Sequence, residues 1–184
     1  GVRVAETWEW DGSSWTLRST SGPSPRQAFA MAYDARRHVT VLFGGSVATP
    51  SGSALNGETW EWDGATWTRR NEPGPGARAA HAMAYDANRG VMVLTSGIDE
   101  VNWAFDTWEW DGNVWTQTQI GGSPLPNGMM VFDPARGACV CFGGRTAPYS
   151  YSDRTLVLTR PDGDSWNDVG VSGPSARAYG AASF

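Results

Sequence analysis

Arg26, Arg78 and Arg177 occupy the same place in a phrase that recurs along the chain. A guanidinium presents a planar fork of donors that matches a carboxylate with two parallel hydrogen bonds. Such groups in register can grip an acidic ligand, whether an acidic peptide or an acidic sugar. Donation to loop carbonyls is a structural use of the same arginines, and the sequence leaves both open. Trp103, Tyr149 and Tyr151 stand in segments that do not recur, 98–106 and 145–153. Aromatic side chains outside a repeated frame make better contact candidates than repeated ones, because aromatics carry much of the energy at interfaces. The expected ligand-binding residues are therefore Arg26, Arg78, Arg177, Trp103, Tyr149 and Tyr151.

Catalytic chemistry has little to work with. There is no Gly-x-Ser-x-Gly elbow, phosphate loop, dinucleotide fingerprint or His-Glu-x-x-His. The two histidines, His38 and His81, sit at different places in the recurring text, so a shared metal is not expected, and each is read as a structural histidine. Cys139 and Cys141 lie two apart on one strand face, where neighbours rarely satisfy disulfide geometry. They read as small buried apolar residues, since a Cys-x-Cys metal pair would need two further soft ligands. Asp99 and Glu100 could meet a cation, but a solvated loop is the better reading. No catalytic residue, metal or cofactor is expected. The net charge of −5, a pI near 4.9 and the complete absence of lysine argue against a nucleic-acid surface. No apolar run is long enough for a membrane-spanning helix, and no signal peptide is visible at Gly1, although a processed chain would have lost one.

The elements that must position these residues are repeats. Glu6-Thr7-Trp8-Glu9-Trp10-Asp11-Gly12 returns as Glu58 to Gly64 and, with Asp106 leading, through Gly112. A further tryptophan follows seven residues after the first of each phrase: Trp15, Trp67 and Trp115. A decayed fourth copy keeps Thr155-Leu156-Val157-Leu158, Asp162-Gly163 and Trp166. Trp8, Trp60, Trp108 and Leu156 are 52, 48 and 48 residues apart, a period of roughly 50 that is too long for common helical repeats. Units of this kind cannot bury their apolar surface alone and must stack. The pieces are 1–22, 23–73, 74–122, 123–173 and 174–184, read as one domain or segment.

Locally the text predicts strands throughout. Val39 to Phe43, Val91 to Leu94 and Ala138 to Phe142 are short apolar runs bounded by glycine, as in strands buried on both faces. Thr7-Trp8-Glu9-Trp10 alternates, placing the tryptophans on one face and Thr7 and Glu9 on the other. Asp-Gly pairs at 11, 63, 111 and 162 mark hairpin turns, as do Asp34 to Arg37, Asp86 to Arg89 and Asp133 to Arg136. Glu9, Glu61 and Glu109 recur on a face that must meet another sheet, so each needs a partner. Arg37, Arg89 and Arg136 recur once per unit, and Glu to Arg pairing is expected, with Glu61 and Arg89 one pair to test. Tryptophans at identical places in every unit are expected to fill the space between sheets rather than to stack on sugars.

Gly44-Gly45, Gly143-Gly144, the later Trp15, Trp67, Trp115 and Trp166, and the Pro-x-x-Arg or Pro-Arg lead-in together resemble the kelch repeat. The Trp-Glu-Trp-Asp-Gly variant is similar to bacterial kelch and galactose-oxidase-like domains. The resemblance implies an all-β propeller of four-stranded antiparallel blades, with about four repeats. Ser96-Gly97 replaces Gly-Gly in one copy, Leu125 replaces the arginine in another, and the fourth has lost both third-strand tryptophans. The kelch order also implies that the arginines and the loops between second and third strands share one face, near a central channel. Fifteen strands are counted where four blades need sixteen, and Val2-Arg3-Val4 leaves no room for the missing one. A partial ring, or one completed by further blades or another chain, is the expectation. The function expected is a non-catalytic binding or scaffold module for a protein or glycan. The alternatives are part of a galactose-oxidase-like or carbohydrate-active enzyme whose catalytic residues lie elsewhere, and structural assembly through open edges. The compartment is open, with a secreted or bacterial cell-surface location preferred.

Overall fold

A computed structural model describes residues 4–122, 124–159, 165–171 and 174–178. These contain strands and connections but no helix, so none is long and apolar enough to cross a membrane. The described chain opens with a hairpin of β1 (Thr7–Trp10) and β2 (Trp15–Ser19). Next come β3 (Arg26–Gln27), β4 (Ala30–Asp34), β5 (Val39–Phe43), β6 (Ser46–Thr49), β7 (Gly52–Leu55), β8 (Thr59–Trp62) and β9 (Trp67–Arg70). The middle of the chain forms β10 (Ala82–Asp86), β11 (Val91–Thr95), β12 (Thr107–Trp110) and β13 (Trp115–Thr118). The last stretch forms β14 (Met129–Asp133), β15 (Ala138–Phe142), β16 (Arg145–Ala147), β17 (Ser150–Tyr151), β18 (Thr155–Thr159) and β19 (Ser165–Asp168). Pairing in the orders β4-β5-β8-β9, β10-β11-β12-β13 and β14-β15-β18-β19 makes three four-stranded antiparallel sheets. The β1-β2 hairpin matches the outer two strands of such a sheet, paired in the same Trp10 to Trp15 register as Trp62 to Trp67 and Trp110 to Trp115.

The turns explain why each unit folds alike. The Asp34 carboxylate accepts from the N–H groups of Arg36 and Arg37, and Asp86 and Asp133 do the same for their own turns. At the other hairpins the Asp side chain closes a four-residue loop: Asp11 Oδ1 accepts from Ser13 and Ser14 at 2.8 Å each. This loop is longer than a two-residue Asp-Gly turn. The Asp162-Gly163 turn, the Val2-Arg3 pair and the final strand expected after Arg177 lie outside the described residues.

After each second strand the chain turns through left-handed conformations. Gly44 has φ +68°, and a Cβ there would come within 2.7 Å of the Arg78 carbonyl. Ser96 keeps this geometry at φ +58°, so the loss of one glycine in the second copy does not change the path. The loops that follow are more ordered than their irregular text predicts. β6 and β7 form a hairpin joined by β3, and β16 pairs with β17.

Apolar residues collect between successive sheets. Val41 and Phe43 of the first sheet meet Met83, Met92, Leu94, Trp110 and Trp115 of the second. Cys139, Cys141, Leu156, Leu158 and Trp166 of the third meet Ala82, Ala84 and Val93 of the second. Strands β4, β10 and β14 pack side by side, which places the start of each unit next to its neighbour's.

Candidate functional site

Arg26 and Arg78 do not wait for a ligand. Arg26 is buried, and each of its N–H groups has an acceptor: Nε donates to the Ser24 carbonyl, Nη1 to the Gly44 carbonyl and Asn56 Oδ1, and Nη2 to Ser24 Oγ and Glu58 Oε2. The Glu58 bond is 2.8 Å. Arg78, also buried, forks onto Asp106 and donates to the Ser96 and Gly76 carbonyls. Both carboxyls pay desolvation for their burial, which raises their pKa, but the arginine bonds outweigh it and hold Glu58 and Asp106 below the ordinary carboxylate range. The grip on an external carboxylate expected of these two arginines is thus replaced by a grip on the chain's own acids. Arg177 differs: it is exposed, and among the described residues its side chain donates to Ser175 alone.

These acids were missed as partners, although the signal is in the sequence. Glu58 and Asp106 lead the recurring phrase, and the copy that reads Leu125 instead of arginine has Arg154 in the acid's place. Arg154 turns to Asp168 at 2.7 Å.

Where sheets meet, the geometry is repeated. Trp62 and Trp67 lie with ring centroids 5.5 Å apart, as do Trp110 and Trp115. Each pair points its indole N–H groups at the preceding unit. Trp62 donates to Glu9 at 2.9 Å and Trp67 to Thr7 at 2.7 Å. Trp110 donates to Glu61 at 3.0 Å and Trp115 to Thr59 at 2.9 Å. In the third sheet Leu158 replaces the first tryptophan, and Trp166 alone reaches Thr107 at 3.3 Å. The repeated tryptophans of β8, β12, β13 and β19 are therefore packing elements.

The Glu to Arg pairing forms within the first and second four-stranded sheets. Glu61 takes Arg37 Nη1 at 2.7 Å and Arg70 Nε at 2.8 Å, while Glu109 takes both Nη groups of Arg89. Glu61 and Arg89 are therefore not a pair. Arg136 has no glutamate, because Val157 stands in its place, and it turns to Asp133.

The first hairpin has no such cover. Trp10 and Trp15 keep the 5.5 Å pairing, yet they are 51% and 63% exposed and their indole N–H groups have no acceptor among the described residues. Phe29, Met31 and Tyr33 of the first sheet are also exposed, whereas His81 and Met83, which hold the places of Phe29 and Met31 in the second sheet, are buried. A cleft lined by Trp8, Phe29, Met31, Leu42 and Trp67 runs between the hairpin and the first sheet.

The loop aromatics fall into two groups. Tyr149 is 93% exposed at the tip of the β16-β17 hairpin, and Tyr151 is exposed on β17, opposite Arg145. Trp103 is half-buried, bridged to Ile98, with its ring 6.3 Å from that of Phe105. It meets Phe105 and not the tyrosines. Asp99 is engaged in its own turn, accepting from Val101 and Asn102, and among the described residues no three metal-ligating side chains cluster.

His81 sits one residue before β10, edge-on to Phe43 at 5.5 Å. Burial, with the Arg78 charge beside it, pushes its pKa down to about 3, so the ring is neutral at physiological pH. His38 shares a hydrogen bond with Tyr33 at 3.1 Å, in a turn where its φ is +58°. Cys139 and Cys141 are buried in the core and form no disulfide, and burial raises the Cys141 thiol well above its ordinary value.

No protein-family model matches the chain, and no curated protein matches it in sequence. In fold it is similar to a solved structure described as "Structure of YjhT", with 14% identity and a TM-score of 0.75 over 95% of this chain and 61% of that one. The chain spans about three fifths of the length of this relative, and the likeness concerns the all-β fold alone.

Proposed function

We propose that the chain is a non-catalytic binding module, a segment of a kelch-type β-propeller whose four-stranded sheets are its blades. It engages a protein or glycan through the loops that follow the second strand of each blade. One observation carries this reading: the aromatics outside the repeat, Tyr149 and Tyr151, stand out to solvent on an ordered hairpin, whereas the tryptophans of the interior sheets are consumed in packing. Exposed aromatic rings with a polar tip suit both protein and sugar ligands. Arg177 remains a candidate contact, while Arg26 and Arg78 act from beneath, shaping the loops through Gly44, Ser96 and Asn56. The reading is tested on a glycan and peptide array with Tyr149→Ala, Tyr151→Ala, Trp103→Ala and Arg177→Ala variants. Binding that falls in the tyrosine variants supports it, and equal binding by all four removes this face from consideration.

A second reading, assembly through open faces, is favoured by a separate observation. Trp10 and Trp15 present to solvent the same surface that the later pairs bury against a neighbouring sheet.

A further inference from the structure

We infer that the Trp10–Trp15 face is a docking surface with a sequence requirement: it takes a sheet of this repeat, from outside residues 1–184, whose third strand reads Thr-x-Glu. The inference rests on the assembly reading and adds the identity of the partner. Its basis is continuity with the junctions already formed. Both junctions made by a complete tryptophan pair use the same two acceptors, Thr7 with Glu9 and Thr59 with Glu61. Trp10 and Trp15 repeat the donor half of that junction, with the same centroid separation and the same strand register. What they lack is an acceptor half.

Among the described residues the chain's own third strands do not supply it. Thr7, Thr59 and Thr107 are already taken by Trp67, Trp115 and Trp166. The remaining third strand, β18, reads Thr155-Leu156-Val157. Thr155 could accept from Trp15, but Val157 offers Trp10 nothing. A buried indole N–H without an acceptor forfeits its hydration with no return, so this contact is penalised whether β18 comes from the same molecule or from a second copy. The third sheet shows the rule from the other side. There the first tryptophan is replaced by Leu158, and the junction closes with Trp166 to Thr107 alone. Every indole N–H at a described junction thus has its acceptor, whereas Leu158 offers Glu109 no indole and Glu109 is held by Arg89.

The mismatch can be repaired from either side, which makes the inference testable on the whole chain. Val157→Glu supplies the acceptor and also gives Arg136 the glutamate that Arg37 and Arg89 have. Trp10→Leu removes the donor, so that an apolar side chain meets the apolar Val157, and as a change at an exposed side chain it leaves the fold intact. Hydroxyl-radical oxidation read by mass spectrometry, across a range of protein concentrations, reports Trp15 directly, with Trp110 and Trp115 as internal controls for folding. The expected result is that Trp15 is oxidised readily in the unaltered chain at all concentrations and loses most of its oxidation in both variants, by ring closure or head-to-tail association. Protection of Trp15 in the unaltered chain would overturn the requirement while leaving assembly standing, because the chain's own β18 would then suffice. Protection in Trp10→Leu but not in Val157→Glu would overturn the glutamate requirement alone. Full oxidation in both variants would overturn the docking surface and the assembly reading together.

Discussion

Trp10–Trp15 and Trp110–Trp115 are the same device in two settings. Both pairs cross a four-residue hairpin loop closed by an aspartate, both have ring centroids 5.5 Å apart, and their interplanar angles differ by little, 44° against 37°. Yet the first pair is half exposed or more, and the second is 1% and 7% exposed. The geometry of the pair is therefore set locally, by the hairpin, while its energetic role is set by whether a neighbouring sheet presents Thr and Glu. The same division holds for the charges. Glu61 is buried and holds two arginines, whereas Glu9 holds Arg18 with both side chains close to half exposed.

Truncating the two pairs should separate them most strongly. Trp110→Ala is expected to destabilise by about 3–5 kcal/mol, the range for deleting a buried aromatic. Trp10→Ala should cost under about 1 kcal/mol, because an exposed side chain leaves no cavity. Urea denaturation of both variants reads the difference, and equal losses would mean that the first hairpin is covered. Next in size is Glu61→Ala, expected to cost about 3 kcal/mol by leaving Arg37 and Arg70 without their shared acid. Glu9→Ala removes an exposed pair with Arg18 and also the acceptor of the buried Trp62 indole, and should cost less than Glu61→Ala, about 1–2 kcal/mol. A double-mutant cycle should show coupling between Glu61 and Arg37 and additivity between Glu61 and Arg89.

A pH titration distinguishes His81 from Phe29, which hold the same place in successive units. The folded pKa of His81 is depressed to about 3 from an ordinary 6.5, so the unfolded chain binds a proton that the folded chain refuses. Stability from this site is present above pH 6.5 and is lost as pH falls toward 3. The carboxyls of Asp34, Glu58 and Asp106 are depressed below their ordinary values of 3.8 to 4.5, where their hydrogen bonds to arginine outweigh the cost of burial. Their contribution is lost only at lower pH. His81→Phe should therefore flatten the stability profile between about pH 6.5 and 4.5 and leave the steeper loss below it. An unchanged slope would mean that His81 is protonated in the folded protein.

The sheets were legible because their determinants are local. Asp34 caps its own turn two and three residues ahead, the apolar run 39–43 is buried at its centre and C-terminal end, and the tryptophan pair needs only its hairpin. The candidate site was less so. Arg26 and Glu58 are 32 residues apart, and their pairing is evident only once the β6-β7 hairpin is seen to fold back between them. The correlated change of Leu125 and Arg154 pointed to it, but only in a comparison of unit with unit. Which tryptophans are buried was not legible from identical text, because burial depends on the neighbouring sheet and not on the phrase itself.

Each later tryptophan pair locks onto the Thr and Glu of the sheet before it, and the bond from Trp115 Nε1 to Thr59 Oγ1 isolates that lock without a charge. A double-mutant cycle of Trp115→Phe and Thr59→Val, read by urea denaturation, is predicted to give a coupling of about 1 kcal/mol. The same cycle with Trp15→Phe in place of Trp115→Phe should give none. Additive losses for Trp115→Phe and Thr59→Val would contradict the lock.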